Sequence, residues 1–314
     1  MPLVGPPGLP VDIDAARFDA LHDEPGAWRA VMESLALEQG TPASAVKQET
    51  EGTVLVARLG RERVLKLYPP FLRDHFEFER AMLARLHRRL RVPTPELLAS
   101  GERDGWPYLV MTQMAGEPLT TTWPAMSETE RCALLHELGA LAAEVHALPV
   151  GEVAALAPRW EDFVTRQRER CVWRQQRTGL PAHLLAQVPA FVDGPLPEGP
   201  AVLLTGEYTP FNLFTTPSPA GHRLSAMFDF GDGLVGPREY DWLGPQCFLV
   251  AGDRARSEAF MHGYGARVDE DMRLRLMRLL LLHRYSHLKA QVAIEGWQEL
   301  RSFEELAARL WPLP

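Results

Sequence analysis

The chain has 314 residues and carries 33 basic against 41 acidic side chains, a net charge of −8 at pH 7. That length can hold two lobes with cores of their own. The acidic balance argues against general nucleic-acid binding, which needs a basic face, and suits a cationic ligand. Three scattered cysteines, Cys132, Cys171 and Cys247, lack metal-binding spacing, so reduced thiols are expected. Residues 1–10 are rich in Pro and Gly and read as a loose arm. They have neither a basic n-region nor a continuous apolar run, so they are no signal peptide. The most apolar stretch, residues 274–287, is interrupted by Arg and His and is no membrane span. A cytoplasmic protein is expected, with no membrane, no nucleic acid and no obligate protein partner.

Residues 14–23 and 27–39 show helical spacing, the second run stopping at Gly40. Two β-rich runs follow, Thr53-Val-Leu-Val-Ala-Arg-Leu-Gly60 and Arg63-Val-Leu-Lys-Leu-Tyr68, around a glycine-containing turn. Residues 74–89 read as a helix, and Trp106-Pro-Tyr-Leu-Val-Met-Thr-Gln-Met-Ala-Gly116 as a strand leaving into a hinge. These elements make a small β-rich lobe, residues 1–115, that begins with helices. Residues 116–314 read as a larger, mostly helical lobe, so the expected fold class is α+β with two lobes. In the second lobe Ser127-Glu-Thr-Glu130 is a capping box opening a helix to residue 146. Asp269-Glu-Asp271 opens another that runs through residue 282. Short strands are expected around 201–204, 211–215 and 224–229. The arginines of 166–177 interleave with Glu161, Asp162 and Glu169, which is the pattern of a solvated helix face. His283 and His287 stand four apart on an expected helical face without a carboxylate between them, which favours packing over zinc.

The chemistry concentrates in two runs, Leu204-Thr-Gly-Glu-Tyr-Thr-Pro-Phe-Asn212 and Met227-Phe-Asp-Phe-Gly-Asp232. Both place oxygen-bearing side chains just after apolar stretches, at the ends of what read as two strands joined by a hairpin. Glu207, Asn212 and Asp229 then converge at one sheet end. An acid, an amide and a second acid are the set needed to orient a hydroxyl and hold magnesium against a nucleotide. Upstream, Lys66 interrupts an apolar strand, where a charge is costly without a partner. Glu79 on the next helix is the expected partner and Glu77 the rival. Gly52 is a weak candidate for a loop over phosphates, and there is no Gly-x-x-x-x-Gly-Lys-Ser/Thr run. Thr112, Gln113 and Met114 fall where a linker's backbone groups would meet an adenine. Gly236 and Tyr240-Asp241 follow Asp229 too closely for the long activation loop of a protein kinase. A small hydroxylated acceptor is therefore favoured over a peptide.

Gly206, Asn212, Asp229, Phe230, Gly231 and Asp232, with the later Gly236-Pro-Arg-Glu-Tyr-Asp241, resemble the motifs of the aminoglycoside phosphotransferase family. Thr205 stands where that family has His, and Glu207 where it has the Asp that acts as catalytic base. The resemblance implies a protein-kinase-like fold that uses ATP or GTP with Mg2+ to phosphorylate a small, cationic, hydroxylated molecule. It implies Glu207 as the catalytic base, Lys66 and Glu79 at the nucleotide phosphates, Asn212 and Asp229 at the metal, and Asp241 as a brace for the catalytic loop. Within the family the chain is similar to the hygromycin B 7″-phosphotransferase type. That likeness rests on Trp106-Pro-Tyr-Leu-Val-Met111, Met114-x-Gly116, Val92-Pro-x-Pro95 and Phe303-Glu-Glu-Leu-Ala-x-x-Leu-Trp-Pro312. The alternatives are a metabolic sugar or amino-alcohol kinase of the same fold, and a nucleotide-binding homologue whose catalysis is impaired.

Overall fold

Strand-forming sequence in the first third of the chain closes into one antiparallel sheet. A computed structural model describes residues 8–50, 52–206, 208–219 and 221–313. Residues 1–7 of the Pro- and Gly-rich start, and Glu207, lie outside the described residues. The chain divides into two compact units. One runs to Arg89 and resumes over Pro93–Ala115; the other takes Leu90–Val92 and the chain from Gly116 onward.

The first unit is built on β1 (Val46–Glu49), β2 (Leu55–Leu59), β3 (Arg63–Leu67), β4 (Leu97–Arg103) and β5 (Trp106–Thr112), in the order β1-β2-β3-β5-β4. Every neighbouring pair is antiparallel. Alternate residues of β2 are buried, as expected of a strand with one face on a core. The Ala15–His22 and Pro25–Glu38 helices cover that face, packing Phe18, Trp28, Met32 and Leu35 with Leu55, Ala57, Leu65 and Leu67. Asp14 caps the first helix by accepting from the Arg17 amide. Gly40, at φ +73°, follows the second. The Arg73–Leu86 helix packs on β4 and β5 and buries Phe76, Phe78, Met82, Leu83 and Leu86.

Boundaries moved where local signals were weak. The strand expected from Thr53 starts at Leu55, and the helix expected to reach residue 89 ends at Leu86, with Arg88 left-handed at φ +58°. β1 and β4 were not foreseen. Both lie at sheet edges, and β4 alternates half-buried with exposed residues, so it carries little apolar signal.

In the second unit the Glu128–His146 helix starts at Ser127, and both halves of its capping box form. It packs against the Arg254–Tyr264 helix with the backbones in contact. A Cβ on Gly139 would lie 2.1 Å from Phe260 O, and one on Gly263 would lie 2.0 Å from His136 O. The Trp160–Arg177, Glu270–Leu282 and Phe303–Leu310 helices complete the helical body. Two small sheets carry the loops of interest. β6 (Glu117–Pro118), β8 (Leu213–Ser218) and β9 (Gly221–Met227) form one, in the order β6-β8-β9. β7 (Val202–Leu204) and β10 (Leu234–Gly236) form an antiparallel ribbon.

This topology corrects two expectations. The strand leading to residue 205 pairs with β10, so it is not half of a hairpin with the strand before Asp229; the hairpin is β8–β9. His283 and His287 share no helical face, because the helix ends at Leu282. His283 caps that helix, while His287 caps the Leu288–Gln291 turn by accepting from the Ala290 amide. Among the described residues no helix is long and apolar enough to cross a membrane.

Candidate active site

In the first unit the interrupted strand explains itself. Leu65 and Leu67 face the core under the N-terminal helices, so period-2 alternation turns Lys66 to the opposite face. There its Nζ donates to Glu79 Oε1 at 2.7 Å, and the Tyr68 hydroxyl donates to the other carboxylate oxygen. Lys66 and Glu79 are both buried, and a pair in that setting persists only with its remaining polar positions bonded. Of the two acids that the sequence offered, Glu79 rather than Glu77 takes the lysine. At the end of β5 the Thr112 amide donates to Glu96 O at 3.0 Å and the Gln113 amide to Glu62 O at 2.7 Å. The Thr112 hydroxyl accepts from the Glu96 amide at 2.9 Å. Gln113 Oε1 is buried without a hydrogen-bond partner among the described residues. Met114 follows directly.

In the second unit the β8–β9 hairpin sets the geometry. Asn212 immediately precedes β8, and its carbonyl accepts from the Phe228 amide at 3.2 Å, which extends the ladder by one rung. Asn212 and Asp229 therefore flank the open end of one hairpin. Asp229 lies at φ +68°. A non-glycine residue in the left-handed region costs roughly 1–2 kcal/mol, and such strain concentrates at functional positions. An amide oxygen and a carboxylate are hard donors of the kind magnesium takes, with its other positions filled by phosphate oxygens and water. The residues present thus fit a magnesium–nucleotide complex.

The β7–β10 ribbon delivers the second loop. Asp241, in the turn after β10, is buried and accepts from the Thr205 amide through Oδ2 at 2.9 Å. Its Oδ1 accepts from the Gly206 amide at 2.8 Å. Hydrogen bonds from backbone N–H to an ionised carboxylate are among the stronger ones in proteins. Gly206 lies at φ +75°, and a Cβ there would meet Asp232 O at 2.8 Å, so glycine is required on both counts. The loop leading to Glu207 is thereby held in backbone contact with the Asp229–Asp232 turn. Asp232 itself accepts from Arg284 Nη1 at 2.9 Å and from the Tyr285 hydroxyl at 2.6 Å.

Two histidines hold this frame: His146, to which sequence reasoning gave no role, and His283, which it expected to pack rather than bind zinc. His146, the last residue of the Glu128–His146 helix, donates from Nε2 to Asp241 Oδ2 at 3.0 Å and lies 2.8 Å from the Tyr264 hydroxyl through Nδ1. Burial pushes the Tyr264 hydroxyl up to about 12, so it stays protonated at neutral pH. A carboxylate can only accept, so the His146 Nε2 proton is directed to Asp241. His283 stacks on Tyr240 at 4.7 Å between ring centroids and accepts from the Tyr285 amide through Nδ1 at 3.2 Å. The ring is also hydrogen-bonded to the Gly206 backbone. Burial, with Arg284 nearby, lowers its pKa to about 3, so the ring is neutral. Phe211 is a further unforeseen feature. It directly precedes Asn212, is 61% exposed and meets Phe248 edge-on at 5.8 Å.

The family model described as "Phosphotransferase enzyme family" matches residues 43–279 of the chain. Among solved structures, the complex of APH(2″)-IIIa with GDP and kanamycin aligns with a TM-score of 0.66 at 17% identity, over 90% of this chain and 97% of that one. Macrolide 2′-phosphotransferase MphH from Brachybacterium faecium gives 0.60 at 20% identity, over 90% and 98%. APH(3″)-Id from Streptomyces rimosus, with ADP and streptomycin, gives 0.59 at 19% identity, over 82% and 98%. Likeness at these identities establishes the fold, which is the two-lobed, protein-kinase-like α+β arrangement.

Proposed function

Because the chain belongs to the phosphotransferase enzyme family, we propose that it is a cytoplasmic small-molecule kinase that moves the γ-phosphoryl group of ATP or GTP onto a hydroxyl of an aminocyclitol or amino-sugar compound. The observation that carries this reading is the pairing of Asn212 with a left-handed Asp229 at one hairpin end, beside a loop whose amides Asp241 fixes. Asn212 and Asp229 would hold magnesium, which would supply positive charge to offset the negative charge that develops in transfer. Lys66, kept extended by Glu79, meets the nucleotide phosphates. At the Thr112-Gln113-Met114 linker, the Thr112 and Gln113 amides are already engaged. An adenine or guanine edge would therefore meet carbonyls, the Met114 amide and the unpartnered Gln113 Oε1.

Glu207 follows Gly206 directly and keeps the carboxylate chemistry of a base, orienting the acceptor hydroxyl and taking its proton. The exposed Phe211 offers a ring face for the apolar side of a sugar. An acidic chain suits a cationic acceptor. The similar structures with kanamycin or streptomycin bound support that class, and the C-terminal sequence likeness favours hygromycin B among its members. The test is to incubate the protein with Mg-ATP or Mg-GTP and a panel of hygromycin B, other aminoglycosides, macrolides, sugars and amino alcohols. Mass spectrometry should find one added phosphoryl group on an aminoglycoside. Phosphorylation confined to a metabolic sugar or amino alcohol would replace the acceptor class, and no product on any compound would refute the proposal.

A further inference from the structure

On the surface of the second unit, two imidazoles from different helices point nitrogen to nitrogen. His136 of the Glu128–His146 helix and His262 of the Arg254–Tyr264 helix bring their Nδ1 atoms within 3.3 Å, with ring centroids 5.1 Å apart and planes tilted by 31°. We propose that this pair is a site for a divalent transition-metal ion of the zinc or copper class, pinning the two helices together. The site is separate from the phosphotransfer residues and does not depend on the reading given to them.

Distance carries the argument. Two nitrogens bound at about 2.0–2.1 Å to one tetrahedral ion stand roughly 3.3–3.4 Å apart, with ring centroids near 5.2 Å. Both separations match. A linear N–H···N bond across the same gap would push the centroids to about 5.6 Å, since each nitrogen lies roughly 1.2 Å from its ring centre. The two rings are bent off that line by the amount that a shared apex requires.

The scaffold holds this geometry firmly. The Cβ position of Gly263, next to His262, is occupied by the carbonyl oxygen of His136 itself, 2.0 Å away. Backbone contact at that level leaves the two side chains little freedom to separate. At the far end of the same helix pair, Arg256 clasps Glu128 through Nε and Nη2 at 2.9 and 2.6 Å, so slippage of one helix along the other is opposed. Both histidines are exposed, which lets an ion and its water reach them. Among the described residues no third His, Cys, Asp or Glu joins the cluster. Water completes the coordination, and imidazole donors select zinc, copper or nickel over magnesium.

The test uses the full-length protein without a histidine tag. Calorimetric titration with Zn2+ and with Cu2+ should give one saturable site per chain, tighter for Cu2+, and the melting temperature should rise as the site fills. The copper spectrum should report two imidazole nitrogens. His136→Ala and His262→Ala, both at exposed positions, should each weaken binding by roughly 100-fold through loss of the second attachment point. Both variants should melt like the parent in the presence of a chelator, which shows them folded. Absence of saturable binding, or binding that survives both substitutions, would overturn the proposal and leave a plain hydrogen bond between two histidines.

Discussion

Asp241→Asn is the most informative single change in the second unit. The carboxylate accepts from Thr205 N, Gly206 N and His146 Nε2 while buried at 2% exposure. Asparagine preserves the shape but turns one acceptor into an NH2 donor. If its oxygen stays toward Thr205, the NH2 group faces the Gly206 N–H, donor against donor. In the other orientation it faces Thr205 N–H, and His146 must switch tautomer to accept. Either way at least one loop amide is orphaned and the remaining bonds lose their charge assistance, a loss of roughly 2–4 kcal/mol. The loop responds at Gly206, one residue before Glu207, and a displacement of about 1 Å at a reacting group costs on the order of 100-fold in rate. Urea unfolding gives the stability term. Turnover at saturating nucleotide and acceptor gives the positioning term, with nucleotide affinity measured in parallel and expected to change little. A variant with parental stability and parental turnover would refute the idea that Asp241 fixes this loop.

His283 should make stability acid-sensitive. Its folded pKa, lowered to about 3, lies below an unfolded value of about 6.5. Its contribution is therefore complete above about pH 6.5 and is lost as pH falls toward 3, by about 2 kcal/mol between pH 6.5 and 5. His283→Gln should flatten urea midpoints compared at pH 7 and pH 5, and parallel pH profiles in parent and variant would count against a neutral buried ring. Gly206→Ala should lower the melting temperature and remove turnover, because φ +75° and the 2.8 Å approach to Asp232 O combine there. Gly40→Ala, at φ +73° with nothing within 4 Å, carries only the backbone strain and should keep turnover; equal losses in both would dismiss the packing argument. Lys66→Met leaves Glu79 buried without its cation and should cost about 3–5 kcal/mol. Adding Glu79→Leu should restore stability without restoring nucleotide-induced thermal stabilisation, and recovery of both would remove Lys66 from the nucleotide site.

Local signals read well from the sequence, and long-range ones did not. The Ser127 capping box spans four residues and formed as expected. Lys66 was conspicuous because a lone charge in an apolar strand needs a partner, and the next helix supplied Glu79. The β7–β10 ribbon was not legible, since two three-residue strands separated by thirty residues carry no pattern that names each other as partners. His146 reaches Asp241 across 95 residues of sequence, and nothing in the helical periodicity around it marks that bond. The helix does end at Leu282 as expected, but the four-residue spacing of His283 and His287 suggested a shared helical face that does not exist beyond that end. Left-handed Asp229 was equally invisible, because its dihedral is imposed by the hairpin and turn around it.

In the proposed reaction Glu207, directly after Gly206, takes the proton of the acceptor hydroxyl. Glu207→Gln tests it most directly, with steady-state transfer to a confirmed acceptor and nucleotide affinity measured on the same preparation. Glutamine keeps the size of the side chain and removes its capacity to take a proton, an effect worth typically 10²–10⁴-fold. Turnover should fall by that range with Mg-nucleotide affinity essentially unchanged. Full turnover in Glu207→Gln would contradict it.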